Sequence, residues 1–144
     1  SEAEREEFLD RLSKESDRTL VAFGIMGGIF GEGIDLKNDR LIGAIVVGTG
    51  LPQISNERTI LKDYYDAENG CGFDYAFRYP GINKVLQAAG RVIRTTEDTG
   101  VILLLDERFW QREYDLLYPR EWSDRKSCNI ANVGKLVADF WEQI

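Results

Sequence analysis

Leu41-Ile42-Gly43-Ala44-Ile45-Val46-Val47 and Gly100-Val101-Ile102-Leu103-Leu104-Leu105-Asp106 are two short, almost wholly apolar runs. Runs of this length without polar alternation predict strands covered on both faces, as in a parallel sheet. Gly48, Gly50 and Pro52 end the first of them. The residues between the two runs carry helical periodicity. Ser55 is placed to cap one helix, in which Ile60, Leu61, Tyr64 and Tyr65 recur at helical spacing and are read as packing residues rather than a base-stacking platform. Ile82, Val85, Leu86, Ala89, Val92 and Ile93 form the apolar stripe of a second helix. Upstream, Thr19-Leu20-Val21-Ala22-Phe23-Gly24-Ile25 predicts a further buried strand. Strands alternating with helices predict an α/β layer fold with a parallel sheet. Three strands are few for a sheet covered on both faces, so more are expected.

The ends read as helices. Phe8, Leu9 and Leu12 give Ser1 to Glu15 a short apolar face, and Ser1 with Glu4 has capping-box spacing. Asn129 is placed to cap a last helix, whose Val133, Leu136, Val137, Phe140, Trp141 and Ile144 share a face suited to docking. The whole of 1–144 is expected to form one domain, since 144 residues can bury one substantial core. No run of eighteen apolar residues and no basic leader with an apolar segment occurs, which predicts a soluble intracellular chain with no membrane partner. The chain begins at Ser1 without an initiator methionine and is read as an excised or processed piece. Cys71 and Cys128 lie far apart with no histidine to help them hold a metal, so free thiols are expected. The net charge of -7 argues against broad adhesion to nucleic acid, although Glu2, Glu4, Glu6, Glu7 and Asp10 of the first helix carry much of it.

Three places carry candidate chemistry. On the helix with the stripe from Ile82, the face opposite the apolar one holds Gln87, Arg91 and Arg94 at i, i+4 and i+7. Such a face usually meets solvent; here it gathers two guanidiniums and an amide. A loop with Gly27, Gly28, Gly31 and Gly33 allows close backbone approach, and Glu32 and Asp35 bring carboxylates into it. Its spacing is neither the dinucleotide-binding glycine pattern nor a P-loop. Asp106 and Arg108 stand where a strand ends, the region in which open α/β sheets gather ligands, or they pair with each other. Tyr75, Phe77, Arg78 and Tyr79 make an aromatic and basic cluster that either meets a nucleic-acid strand or packs on the helix after it.

Two of these segments, in this order, resemble the second motor domain of superfamily 2 helicases of the XPD/DinG type. Gly31-Glu32-Gly33-Ile34-Asp35-Leu36 resembles their motif V, and Gln87-Ala88-Ala89-Gly90-Arg91-Val92-Ile93-Arg94 resembles motif VI. Asp98-Thr99-Gly100 and Leu105-Asp106-Glu107-Arg108-Phe109 resemble the family's segment downstream of motif VI, and Gly50-Leu51-Pro52 the loop after the intervening strand. The resemblance implies a RecA-like, three-layer domain of the P-loop NTPase type. It implies that ATP with Mg2+ lies between this domain and an N-terminal motor domain, which holds the metal. Arg91 and Arg94 are then the arginine fingers, and Gln87 contacts the nucleotide or positions water. Gly33, Asp35 and Glu32 would couple the nucleotide to the DNA track, and backbone amides at Gly27 and Gly28 would meet phosphates of single-stranded DNA. The resemblance also implies translocation from 5′ to 3′, a role in DNA repair, and a cytoplasmic, nucleoid-associated setting in bacteria. The sequence has no Walker A lysine motif and no DEAH-type box, so this chain alone is expected not to hydrolyse ATP. Two distant cysteines do not make the four-cysteine iron-sulfur site of some relatives, so no cluster is expected in this segment. The competing readings are a non-catalytic α/β interaction module whose arginines bind an acidic partner, and a free-standing nucleotide-binding enzyme, which the missing phosphate loop disfavours.

Overall fold

The computed structural model describes residues 2–14, 18–28 and 41–144. These cluster into two compact units, one reaching to Phe109 and the other running from Trp110 to Ile144. In the first unit, helix α1 (Glu2–Ser13) is succeeded by strand β1 (Gly43–Val47), helix α2 (Asn56–Asn69), a π-helical turn (Asp74–Arg78), helix α3 (Tyr79–Ala89) and strand β2 (Val101–Leu105). The strands pair in parallel from Gly43 opposite Val101 to Val47 opposite Leu105. A parallel pair needs a long crossover, and α2, the π-helical turn and α3 supply it.

The elements begin and end for local reasons. The Ser55 hydroxyl accepts from the Arg58 N–H at 3.3 Å, capping α2 as its position predicts, and Gly70 closes the same helix in the left-handed region at φ 74°. Arg58 then reaches the π-helical turn and donates through Nη1 to the Ala76 carbonyl at 3.0 Å. A π turn widens the helical hydrogen-bond pattern, and the guanidinium supplies an additional donor to one of its carbonyls. Pro80 sits at the start of α3, directly after the π-helical turn, and has no N–H to donate to the carbonyls of that turn. The core of this unit is Val46, Ala76, Phe77, Ile82, Val85, Ala89, Val92 and Phe109, so the stripe expected on α3 is the buried one.

Glycines set the distance between α3 and the sheet. A Cβ on Gly81 would stand 2.7 Å from the Thr49 carbonyl oxygen, and one on Gly50, at φ +68°, would stand 2.7 Å from the Gly81 carbonyl oxygen. The loop after β1 therefore lies directly on the first turns of α3. At the other end of the helix, a Cβ on Gly100 would stand 2.5 Å from Val92 Cγ1 and 2.9 Å from the Ile42 carbonyl oxygen.

Several expectations change. Thr19 to Ile25 is not a strand: it has no strand partner among the described residues, and Phe23 is 92% exposed. Strand-like composition forms a strand only when a ladder takes up its backbone groups. The two sheet strands are not covered on both faces within the described residues, since Ile45 and Val47 are exposed while Val46 between them is buried. On α2, Ile60 and Tyr64 are exposed rather than packed, and Tyr65 stacks on Tyr75 with ring centroids 3.9 Å apart.

In the second unit, a short helix α4 (Arg112–Asp115) precedes a 3-10 turn (Arg120–Trp122) and helix α5 (Val133–Trp141). Arg125 pairs with Asp115 and lies over the Tyr118 ring, 5.1 Å from its centroid. Burial pushes the Tyr118 hydroxyl up to about 12. Asn132, not Asn129, stands at the N-cap position of α5; Asn129 instead closes the turn before it, accepting from the Ala131 N–H at 2.9 Å.

The glycine contacts give a prediction with opposite signs. Gly100→Ala must displace Val92 or the Ile42 backbone and is expected to destabilise the chain by about 1–3 kcal/mol. Gly134→Ala on α5, where a Cβ meets nothing within 4 Å, is expected to stabilise its helix by up to about 1 kcal/mol. Urea denaturation of the two variants measures both; equal behaviour would remove the claim that Gly100 is sterically required.

Candidate functional site at the end of helix α3

Helix α3 stops at Ala89, five residues short of Arg94. This corrects the expectation of a single helical face carrying Gln87, Arg91 and Arg94. Gln87 is on the last turn of the helix, exposed, whereas Arg91 and Arg94 are half-buried in the turn beyond it. The chain leaves the helix through two tight steps, Arg91 N–H to the Ala88 carbonyl at 3.2 Å and Val92 N–H to the Ala89 carbonyl at 3.0 Å. Gly90 favours the exit because it is a poor helix former. Val92 is buried at 4% exposure against Gly100, while Ile93, expected in the same apolar stripe, is exposed. The core thus takes one residue of the turn and leaves its neighbours outward.

What holds the turn is Asp98. Its Oδ2 accepts from the Arg94 N–H at 2.9 Å, the Thr95 N–H at 2.7 Å and the Thr95 hydroxyl at 3.1 Å. The Thr95 hydroxyl accepts in turn from the Glu97 N–H at 3.2 Å. The Arg94 and Thr95 amides hold the Asp98 carboxyl below the usual carboxylate range, with the Thr95 hydroxyl and the Arg94 charge adding less. Only the residue types signalled this in the sequence: a threonine with an aspartate three residues later suits a side-chain-closed turn.

The carboxyl ends of the strands lie in the same unit. Gly48 continues the ladder, donating to the Leu105 carbonyl at 3.1 Å, and a Cβ on it would stand 3.9 Å from Asp106 Oδ2. Asp106 and Arg108 do pair with each other: Arg108 donates from Nε to Oδ1 at 2.8 Å and from Nη2 to Oδ2 at 2.6 Å. That two-pronged bond, with the Arg108 backbone N–H at 2.9 Å, lowers the Asp106 pKa. The alternative of Asp106 as an open ligand-binding carboxylate loses weight accordingly.

Of the other expected residues, Gly27 and Gly28 form an exposed turn, with Gly27 at φ 80° and the Gly28 N–H donating to the Ile25 carbonyl at 3.0 Å. The Lys84 side chain of α3 lies 3.6 Å from where a Gly27 Cβ would be, so this turn rests on the same helix as Gln87. Glu32, Gly33 and Asp35, with the rest of 31–36, lie outside the described residues. Cys71 and Cys128 are free thiols. Among the described residues no cluster of three or more His, Cys, Asp or Glu could hold a metal, and no helix is long and apolar enough to cross a membrane.

An amide and two guanidiniums are donors, suited to an anion with several oxygens rather than to Mg2+, which takes oxygen ligands. The chain belongs to the helicase C-terminal domain family, whose model matches residues 1–125 and whose fold is RecA-like; the parallel β1–β2 pair with its helical crossover agrees with that fold. It is similar to the ATP-dependent DNA helicase XPD of Sulfolobus acidocaldarius, 32% identical over 94% of this chain and 24% of that protein. It is also similar to the ATP-dependent DNA helicase DinG of Photobacterium profundum, 31% identical over 69% of this chain and 14% of that protein. A third relative is the human regulator of telomere elongation helicase 1, 33% identical over 69% of this chain and 9% of that protein. The chain therefore spans about a quarter or less of the length of these curated relatives.

The two lowered carboxyls predict an acid profile. A depressed folded-state pKa contributes stability that is present above the unfolded value of about 3.9 and is lost as pH falls through the folded value. Asp98→Asn and Asp106→Asn are expected to be less stable than the parent at pH 7, and the gap should narrow as pH falls below about 4. Urea midpoints across that range measure it; a gap that stays constant to pH 2 would contradict the assignment.

Proposed function

We propose that this chain is the C-terminal half of an ATP-dependent DNA helicase and completes an ATP site shared with an N-terminal motor domain of the same protein. The observation that carries this reading is the turn beyond Ala89, which sets Arg91 and Arg94 at the end of a helix anchored in the core. Membership in the helicase family is the ground for preferring it to a module that binds an acidic partner. Residues 1–144 act in this reading as one functional domain.

In the proposed mechanism, Arg91 and Arg94 stabilise negative charge on the phosphoryl group being transferred. A guanidinium suits this because it stays charged and presents its donors in a rigid fork. Gln87 contacts the nucleotide or orients the attacking water. Mg2+, when bound, neutralises phosphate charge; its ligands belong to the N-terminal domain, since the donors here do not fit it. Glu32, Gly33 and Asp35 link the nucleotide to the DNA track. Single-stranded DNA is met by backbone amides of the Gly27 and Gly28 turn, a contact that needs no net positive charge. Movement from 5′ to 3′ in DNA repair, in the cytoplasm at a bacterial nucleoid, completes the reading.

Arg94→Ala in the full-length protein is expected to lower DNA-stimulated ATP turnover by about 10³-fold or more, the scale of an arginine finger, with nucleotide affinity largely kept. Steady-state hydrolysis alongside equilibrium nucleotide binding reads both. Undiminished turnover would remove Arg94 from the site, and a parent chain without a P-loop would remove the shared-site reading altogether.

A further inference from the structure

Arg94 is held through its backbone. On one side, Val92 is buried against Gly100; on the other, one oxygen of Asp98 takes the N–H groups of Arg94 and Thr95 together with the Thr95 hydroxyl. Arg94 thus lies between a steric anchor two residues before it and a charged anchor four residues after it. The Asp98 N–H also donates to the Thr95 carbonyl at 3.4 Å, closing the turn from both ends. Thr95, Thr96, Glu97 and Thr99 are not buried, so no core packing at those four residues would fix the turn if the carboxylate were lost.

We propose that Asp98 is a positioning residue for ATP turnover, its carboxylate fixing the backbone from which the Arg94 guanidinium reaches the transferring phosphoryl group. This rests on the reading of Arg94 as an arginine finger. An arginine side chain has several rotatable bonds, and motion at its Cα adds to them. A donor that must act on charge developing in the transition state gains from a fixed origin, because a displacement of about 1 Å can cost about 10²-fold in rate. Ionised Asp98 suits the task better than a neutral residue, since bonds from amides to a carboxylate are shorter and stronger than those to an amide oxygen. Asp98 does not touch the phosphates in this arrangement. Its contribution passes through Arg94, and that dependence separates a positioning role from a merely structural one.

The test uses the full-length protein and measures ATP hydrolysis stimulated by single-stranded DNA, with thermal unfolding of each variant as the check on folding. Asp98→Ala is expected to lower kcat by about 10- to 100-fold with little change in KM for ATP, and Asp98→Asn, which keeps the shape and one acceptor oxygen, by a smaller factor. Against Arg94→Ala, measured by single-turnover hydrolysis of labelled ATP, Asp98→Ala is expected to add no further loss. If Asp98→Ala does not fold, Asp98→Asn takes its place in the same comparison with the same expectation. Parental kcat in the folded Asp98 variants would overturn the proposal, as would an equal loss with and without Arg94, which is what general weakening of the domain produces. Parental turnover in Arg94→Ala instead overturns the arginine-finger reading, and the positioning role with it.

Discussion

The contact on which the rest of this unit depends is the approach of Gly100 to Val92 and to the Ile42 backbone, where a Cβ has no room. It joins three things that are far apart in kind: the residue before β2, the chain entering β1 and the turn leaving α3. Helix α3 ends at Ala89, and Val92 fills that contact from the turn beyond it. Arg91 and Ile93 fall to either side, and Asp98 can then close over Arg94 and Thr95. At the opposite end, the Gly50 and Gly81 backbones meet with equally little space, so α3 is located against the sheet near both its termini. A helix fixed in this way presents its final turn at a defined position, as a site completed by another domain requires.

Charge is organised locally in a chain that is acidic overall. The formal net charge of -7 is a poor guide to the surface near Arg94, and several acidic residues have local partners. Asp98 is occupied by backbone donors, Asp106 by Arg108, and Asp66 by Lys62 and the Gly72 N–H. Arg78 is matched by Asp74 on the π-helical turn and lies over the Phe73 ring, 5.4 Å from its centroid. The aromatic and basic cluster around Tyr75 is thereby accounted for by packing and pairing more than by any nucleic-acid contact.

Much of this was legible in the sequence, and the failures have physical causes. The unbroken apolar runs marked both strands and their parallel pairing to within a residue or two, and Ser55 marked the start of α2. Val92 misled, because an apolar residue at helical spacing is buried whether it sits on a helix or on the turn after one. The π-helical turn had no periodic signature; the Arg58 donor to the Ala76 carbonyl comes from eighteen residues away. Thr19 to Ile25 has the composition of a strand, but composition does not supply a neighbouring ladder. At the candidate site, residue types and spacing singled out Gln87, Arg91 and Arg94, whereas the part played by Asp98 required coordinates, since a polar turn does not announce which carboxylate closes it.

In the proposed helicase, the turn after α3 meets nucleotide only when a second domain completes the site. Hydrogen exchange of peptides covering 90–99 in the full-length protein, with and without Mg2+, ADP and aluminium fluoride, tests this dependence. These peptides are expected to become protected when the transition-state mimic binds, and the isolated 144-residue chain is expected to show no such change. Unchanged exchange across 90–99 in the full-length protein, while its other nucleotide-contacting peptides are protected, would contradict it.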